Sequence, residues 1–311
     1  MNEIRKDYLL DRYVIIATDR AKRPAQFIKQ KQKTIKSTCF FCPGNEKLTP
    51  PEIERIEKNN KWLIRCFPNK FAATKLQGKP KTKNQKLIHA DAFGKHEVIA
   101  ETPNHKEQLS DLPISHIKLI LDMYKRRLLE ITKIDGIKFV SIFKNKGKEA
   151  GASLQHSHTQ IISYNQFPTL INQEIKASKK NGKCQYCSII KTEKKSPRVI
   201  KEDQTFVSFT PYASRFPFEA WIFPKKHKTS IIELDDYELT NLAKQLKFIL
   251  RKLNKLNAPY NFFLHYAPGK KDLHFHIEII PRLSTFGGFE FSTDTTINVM
   301  PPEKAAAFYR R

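Results

Sequence analysis

The 311-residue chain is predicted to be an α+β protein made of two duplicated halves, each an antiparallel sheet with a packed helix. Three observations predict it. A Cys-x-x-Cys pair, a single His and a His-x-His strand follow one another in that order twice: Cys39/Cys42, His105, His156/His158, then Cys184/Cys187, His227, His274/His276. The text between these marks also repeats. His96-Glu97-Val98-Ile99 lines up with Phe218-Glu219-Ala220-Trp221, and FVSIFKNKG (139–147) lines up with NFFLHYAPG (261–269). Finally, both copies show one alternation of hydrophobic periods, strand then helix then two strands.

The first half opens with a β-rich part that carries Cys39 and Cys42, and a strand ends near His105 (HEVIAETPNH). A helix is predicted over 110–131, where Leu119, Ile120, Met123, Leu128 and Leu129 recur at helical spacing. A strand over 139–147, a short loop and the strand bearing His156 and His158 complete the unit. The second half repeats the plan with EAWIFPKKH before His227, a helix over 236–256 (Leu239, Leu242, Leu246, Ile249, Leu250, Leu253) and the strand of His274 and His276. The polar, basic stretch 166–183 reads as the connection, giving halves of 1–165 and 166–311. The lysine-rich stretch 78–86 reads as an exposed loop.

Hydrophobic residues make up 40% of the chain, which excludes wholesale disorder. No run reaches the ~18 apolar residues of a membrane helix, and the first twenty residues are charged rather than leader-like, so a cytoplasmic protein is expected. Lys+Arg 56 against Asp+Glu 31 gives a net charge of +25, and only 14 of the 56 are Arg. Base-reading surfaces favour Arg, and a nucleic-acid footprint is normally a stripe or patch. The even spread of lysines reads instead as a solvated surface around an anionic substrate. The competing reading, a zinc-containing nucleic-acid-binding protein, predicts affinity that falls steeply with salt, and no turnover.

In a chain with no export signal, paired cysteines read as metal half-sites or redox motifs. The redox motif wants its first thiol at a helix N-terminus, whereas both pairs here lie in loop-like sequence. Cys66, single between Arg65 and Phe67, reads as a buried small hydrophobe. Lone histidines such as His89, His96 and His116 read as ordinary surface or core residues.

Residues two apart on a strand share a face, ~6.6 Å apart, so His156, His158 and Gln160 point the same way. His156 can complete a tetrahedral zinc site with Cys39, Cys42 and His105, and such a site wants no fifth ligand. His158 is then left rigid and free to react. The repeat predicts a second site from Cys184, Cys187, His227 and His274. The lead-in, with Asn145, Lys146, Gly147 and Ser153, offers amide, ammonium, backbone and hydroxyl groups that would cradle phosphate oxygens. A neutral imidazole can attack phosphorus to give a phosphoramidate, and Gln160 would hold the non-bridging oxygens. His276 lacks this lead-in, and Glu278 stands in the place of Gln160, so it is read as non-catalytic.

The run from Asn145 through Ser153 to His156-Ser157-His158-Thr159-Gln160 resembles the galactose-1-phosphate uridylyltransferases, the transferase branch of the histidine-triad superfamily. Arg20-Ala21-Lys22-Arg23-Pro24, Phe67-Pro68-Asn69-Lys70-Phe71, Pro103-Asn104-His105 and Gly287-Gly288-Phe289-Glu290 extend the likeness over nearly the whole chain. It implies two histidine-triad-like halves whose sheets form a half-barrel with packed helices. It implies that His158 is the nucleotidylated nucleophile and Gln160 its phosphate partner. Arg20, Arg23, Asn145 and Ser153 would contact phosphates, Asn69 the nucleoside and Glu290 the hexose. The implied reaction is ping-pong exchange of a nucleoside monophosphate between a nucleotide sugar and a sugar 1-phosphate, with UDP-glucose:hexose-1-phosphate uridylyltransferase as the first reading. Two structural zinc ions and a homodimer are also implied. Some family members build their second metal site from a Glu and three His, here Glu174, His265, His274 and His276, and others from Cys2His2; the repeat favours the latter. The tail after Gly287 is closer to archaeal-type and ADP-glucose phosphorylase-like members. A phosphorylase that uses inorganic phosphate is therefore the second reading, and a hydrolase of dinucleoside polyphosphates the third.

Overall fold

The structure is a computed structural model that describes residues 3–16, 38–77, 91–269 and 271–311. Arg20, Arg23, His89 and the 78–86 stretch lie outside the described residues. The chain runs through β1 (Glu3–Lys6), β2 (Tyr13–Ile16), β3 (Glu54–Lys58), β4 (Lys61–Pro68), β5 (His96–Ala100), α1 (Ile114–Thr132), β6 (Phe139–Lys146) and β7 (His158–Tyr164). Next come α2 (Thr169–Ala177), the short strands β8 (Lys179–Lys180) and β9 (Lys183–Cys184), and α3 (Gln185–Glu193). The second copy of the plan follows as β10 (Val199–Glu202), β11 (Phe206–Phe209), β12 (Ala220–Pro224), α4 (Asp236–Lys255), β13 (Tyr260–His265) and β14 (His276–Pro281). The chain ends with α5 (Gly288–Thr293), β15 (Thr296–Asn298) and α6 (Pro302–Arg310).

Ten of these strands form one open antiparallel sheet in the order β10-β11-β12-β14-β13-β6-β7-β5-β4-β3. The order is a palindrome of the repeat: each copy supplies five strands, and β6 pairs with β13 at the middle, Asn261 opposite Asn145. The predicted α+β class with antiparallel sheets is what is found, and the sheet stays open. Helices α1 and α4 lie together on one face. Their apolar stripes, Ile117, Ile120, Leu121, Tyr124 and Leu128 on one and Leu239, Leu242, Leu246, Ile249 and Leu253 on the other, are buried in a single core. Truncating one such Leu to Ala costs ~2–5 kcal/mol.

Helix starts follow local chemistry. Asp235 caps α4 by accepting from the Glu238 amide at 2.8 Å, and Glu238 returns the bond to the Asp235 amide at 3.0 Å. Helix α1 begins at Ile114 rather than residue 110, because Pro113 holds the residue before it out of the helical region. The 166–183 stretch, expected to be a connection, contains α2 and a β8–β9 hairpin turned at Asn181 and Gly182, both with positive φ. Near the chain ends, β2 pairs with β1 antiparallel and with β15 parallel. No helix among the described residues is long and apolar enough to cross a membrane.

On the face of the sheet away from α1 and α4, β6 presents Ser141, Phe143 and Asn145, all half-buried. Gln160 of β7 shares this open face, and the candidate site lies at its β5–β7 end.

Candidate active site and metal centres

Cys39 and Cys42 sit on a tight loop. The Cys42 amide donates to the Cys39 carbonyl at 3.3 Å and the Asn45 amide to the Cys42 carbonyl at 3.1 Å, and Gly44 takes the left-handed conformation the turn needs. His105, on the turn after β5, and His156, just before β7, face them. Sγ of Cys42 lies 3.4 Å from His105 Nδ1 and 3.6 Å from His156 Nδ1, and Sγ of Cys39 lies 3.5 Å from His156 Nδ1. These separations match the edge of about 3.5 Å that a tetrahedron has when its metal–sulfur and metal–nitrogen bonds are those of zinc. Burial and the neighbouring Cys39 thiol push the Cys42 thiol up to about 11, so a cation is what would make Cys42 a thiolate. His156 donates from Nε2 to the Thr102 carbonyl at 2.7 Å, which frees Nδ1 as the ligating nitrogen.

The second cluster repeats this geometry. Cys187 Sγ lies 3.4 Å from His227 Nδ1 and 3.5 Å from His274 Nδ1. His274 donates from Nε2 to the Pro224 carbonyl at 2.8 Å, and His227 Nε2 lies 2.7 Å from Asp272 Oδ1. Contrary to the loop expectation, Cys184 is the N-cap of α3 and Cys187 sits in its first turn. That placement alone suits a redox thiol, but Cys184 and Cys187 converge with His227 and His274 within 4.8 Å, and the donor set is that of a metal site.

The alternative Glu/His set does not compete for the same ion. His274 turns its Nδ1 to the cysteines, leaving Glu174, His265 and His276 as a separate group whose ligand atoms converge within 4.8 Å. All three are buried; His265 Nδ1 lies 3.0 Å from Glu174 Oε2, and His276 Nε2 lies 3.6 Å from Glu278 Oε1.

His158 opens β7. Its Nδ1 donates to the His156 carbonyl at 2.8 Å, so Nε2 carries the lone pair. The residue is only 5% exposed, yet it lines a cavity of about 240 Å³ walled by Phe40, Phe41, Phe67 and Val98, with Asn69, Ser153 and Gln160 at its polar edge. Burial first, then the charge of Lys144, holds the His158 imidazolium down at about 4, so the ring is neutral at physiological pH. Edge-on contact with Phe41, ring centroids 5.5 Å apart, fixes its plane.

Gln160 is oriented by a residue the sequence reading passed over. The Ala73 amide donates to His96 Nδ1 at 3.1 Å, and His96 donates from Nε2 to Gln160 Oε1 at 2.9 Å. The Gln160 amide nitrogen is thereby left as a donor. Alternation along β5 puts His96, Val98 and Ala100 on one face, and that period was the available signal.

Four predicted residues, Asn69, Ser153, His158 and Gln160, meet around this cavity. Asn145 lines the adjoining shallower cleft and accepts from Asn261 at 2.8 Å. Gly147 makes a left-handed turn packed so closely on Pro259 that a Cβ would come within 2.9 Å of the proline side chain. Lys146 points to the helix side, where its ammonium donates to Asn254 at 2.6 Å, as the strand period from Asn145 requires. Glu290 accepts from the Gly287 amide at 2.9 Å at the start of α5, away from the His158 cavity. A larger cleft of about 940 Å³, edged by Thr132, Phe167 and Lys271, holds none of the predicted nucleophile or ligand residues.

The second copy has the same skeleton with other side chains. Phe263 pairs with Glu278 as Phe143 pairs with Gln160, so His265 takes the place of Asn145 and His276 that of His158. Ala100 lies opposite His158, whereas Phe223 stacks on His276 with centroids 4.5 Å apart and seals it. On β12 the correspondence thus runs one residue further along than the repeat in the text, and on β13 it falls two residues short of it, so that His265 rather than Ala267 answers to Asn145.

A family model described as galactose-1-phosphate uridyl transferase, N-terminal domain, matches residues 1–168. A second, a domain of unknown function (DUF4921), matches 115–307. ADP-glucose phosphorylase of Arabidopsis thaliana is 36% identical over 99% of the chain and 92% of its own length. Galactose-1-phosphate uridylyltransferase of Thermotoga maritima is 30% identical over 98% and 97%. Among solved structures, the Arabidopsis thaliana ADP-glucose phosphorylase with bound ADP-glucose matches with a TM-score of 0.87 at 33% identity, covering 100% of this chain and 99% of that one. A uridylyltransferase matches at 0.77 and 27% identity, covering 100% and 97%.

Proposed function

This chain belongs to the galactose-1-phosphate uridylyltransferase family, and from that premise we propose that it moves a nucleoside monophosphate from a nucleotide sugar to a phosphate acceptor through a nucleotidyl-histidine. The single observation that carries the reading is His158, neutral, with Nε2 free and directed into a cavity with Ser153 and Gln160. Nε2 attacks the α-phosphorus. The Nε2–P bond forms as the bond from phosphorus to the bridging oxygen breaks, and the sugar 1-phosphate leaves with that electron pair. A phosphate oxygen of the acceptor then attacks the same phosphorus and releases His158. The Gln160 amide, held by His96, donates to the non-bridging oxygens as their charge shifts. Aromatic walls from Phe40, Phe41 and Phe67 suit a base.

Zinc fits both cysteine clusters by donor type and spacing. Cys39, Cys42, His105 and His156 would hold one ion and Cys184, Cys187, His227 and His274 the other. Each would supply rigidity, the first directly beside the nucleophile.

The first reading is transfer from UDP-glucose to a hexose 1-phosphate. The second, a nucleotide-sugar phosphorylase, is favoured by the 36% identity to ADP-glucose phosphorylase against 30% to the uridylyltransferase. The test crosses UDP-glucose and ADP-glucose as donors with galactose 1-phosphate and inorganic phosphate as acceptors. Parallel-line kinetics with one donor, and sugar 1-phosphate released in a single-turnover burst without acceptor, are expected. Turnover only when donor and acceptor are bound together would refute the covalent route.

A further inference from the structure

Behind the candidate nucleophile, on the side of β7 facing α1, lies a closed polar network. Lys144 donates its three ammonium protons to Glu101 Oε2 at 2.6 Å, Ser157 Oγ at 3.0 Å and the carbonyl oxygen of His158 itself at 3.0 Å. Glu101 in turn accepts from Ser157 at 2.6 Å, Thr159 at 2.6 Å and Tyr124 at 3.3 Å. All five side chains are buried to 2% exposure or less. Ser157 and Thr159 are the inward residues that flank outward His158, so the network grips the strand on both sides of that residue and at its backbone.

The repeat supplies an internal control. In the second copy, Phe275 and Ile277 stand where Ser157 and Thr159 do, and the register of β13 against β14 puts Leu264 in the place of Lys144. All three are buried hydrophobics. The fold thus builds this corner from apolar side chains where the strand histidine is sealed, and from a buried ion pair where it opens into a cavity. A buried pair carries a desolvation cost that apolar packing avoids, so stability alone gives no reason to prefer it.

We propose that Lys144 is a positioning residue for His158. Its ammonium, oriented by Glu101, clamps the His158 carbonyl and so fixes the peptide plane from which the imidazole projects. The ring is tied at its other nitrogen to the His156 carbonyl, so any tilt of this backbone would turn Nε2 off the line of attack. Misplacement of about 1 Å can cost about a hundredfold in rate. The inference rests on His158 being the nucleophile, and the experiment separates the two.

The rate of nucleotidylation of full-length protein by a nucleotide sugar, without acceptor, is measured for wild type, Lys144→Met and Lys144→Met/Glu101→Gln, together with melting and zinc content. The single variant strands a buried carboxylate and loses stability. The double variant removes both charges and is expected to regain the wild-type melt and metal, with nucleotidylation still ~10–100-fold slower and KM changed less than twofold. Recovery of the rate along with the melt, or a raised KM with kcat intact, would overturn the proposal. Should the double variant not fold, Ser157→Ala keeps the ion pair, and a several-fold loss of rate at constant KM is expected; an unchanged rate overturns the proposal there too. Absence of any adduct in the wild type would instead count against His158.

Discussion

At His158 two constraints act on one ring: its Nδ1 proton is committed to a backbone carbonyl, and burial keeps it uncharged. Nucleophilicity at Nε2 follows from those two facts without any general base. Gln160 should act mainly in the transition state. Gln160→Ala is expected to lower kcat by about 10²-fold, or ~3 kcal/mol, with little change in KM, as steady-state kinetics will read. Its amide is aimed by His96, which donates to Oε1 at 2.9 Å. His96→Leu should therefore cost about tenfold in kcat, ~1.4 kcal/mol, because the amide is free to turn its oxygen to the phosphate. Equal kcat in that variant would show that His96 only fills space. The alternation that put His158 and Gln160 on one face was legible in the sequence. The role of His96 was not: alternation gives its face on β5, but nothing in a linear text says that β5 lies beside β7 in the register that puts Val98 across from Gln160 and His96 on the diagonal.

Among the elements, the two metal loops and the strands they join explain why the cysteine pairs repeat. Each cluster ties its cysteine pair, on a loop in the first copy and at the start of α3 in the second, to the His-x-His strand, so its loss loosens the strand before it touches chemistry. Cys184→Ser, far from His158, should lower the melting temperature by roughly 5–10 °C, and chelation of the wild type should do likewise, with activity at low temperature largely retained. An unchanged melt with metal still bound would refute a structural role. The cysteine and histidine spacing made both clusters readable, because metal chemistry demands particular residue types. Helix α3 at Cys184 escaped notice, since Gln185-Tyr186-Cys187 carries no helical period of its own. Apolar spacing alone puts the start of α1 at residue 110, whereas Pro113 delays it to Ile114. Lys146 was assigned to phosphate through its neighbours, although its own strand phase sends it to α4.

At the scale of the whole molecule, duplication lets one copy specialise. The positions of Asn145, His158 and Gln160 in the first copy hold His265, His276 and Glu278 in the second, where Phe223 stacks on His276. The chain ends are stitched by charge: Glu303 on α6 accepts from Arg5 at 2.9 Å and Arg198 at 3.0 Å, with the Tyr212 ring beside both guanidinium groups. Burial works against the Glu303 carboxylate, but the hydrogen bonds from Arg5 and Arg198 outweigh it and hold the group below the usual carboxylate range. Its stabilisation is thus full above the unfolded carboxyl pKa of about 4.3 and fades as pH falls through the lower folded value. Glu303→Gln should cost about 2 kcal/mol at pH 7 in denaturant melts, with the difference from wild type shrinking on acidification; a gap independent of pH would contradict this. The repeat announced two halves of like strands, whereas their fusion through β6 and β13 into one sheet, and the joining of β1 and β2 to β15, were hidden, for contacts between distant segments leave no local pattern. The proposed transfer depends most on a covalent bond at one nitrogen. The direct measurement is peptide mapping, under non-acidic conditions, of protein incubated with UDP-glucose or ADP-glucose in the absence of acceptor. One nucleoside monophosphate on the peptide holding His158, and none in His158→Ala of unchanged melting behaviour, is the predicted result; label that persists in that variant would contradict it.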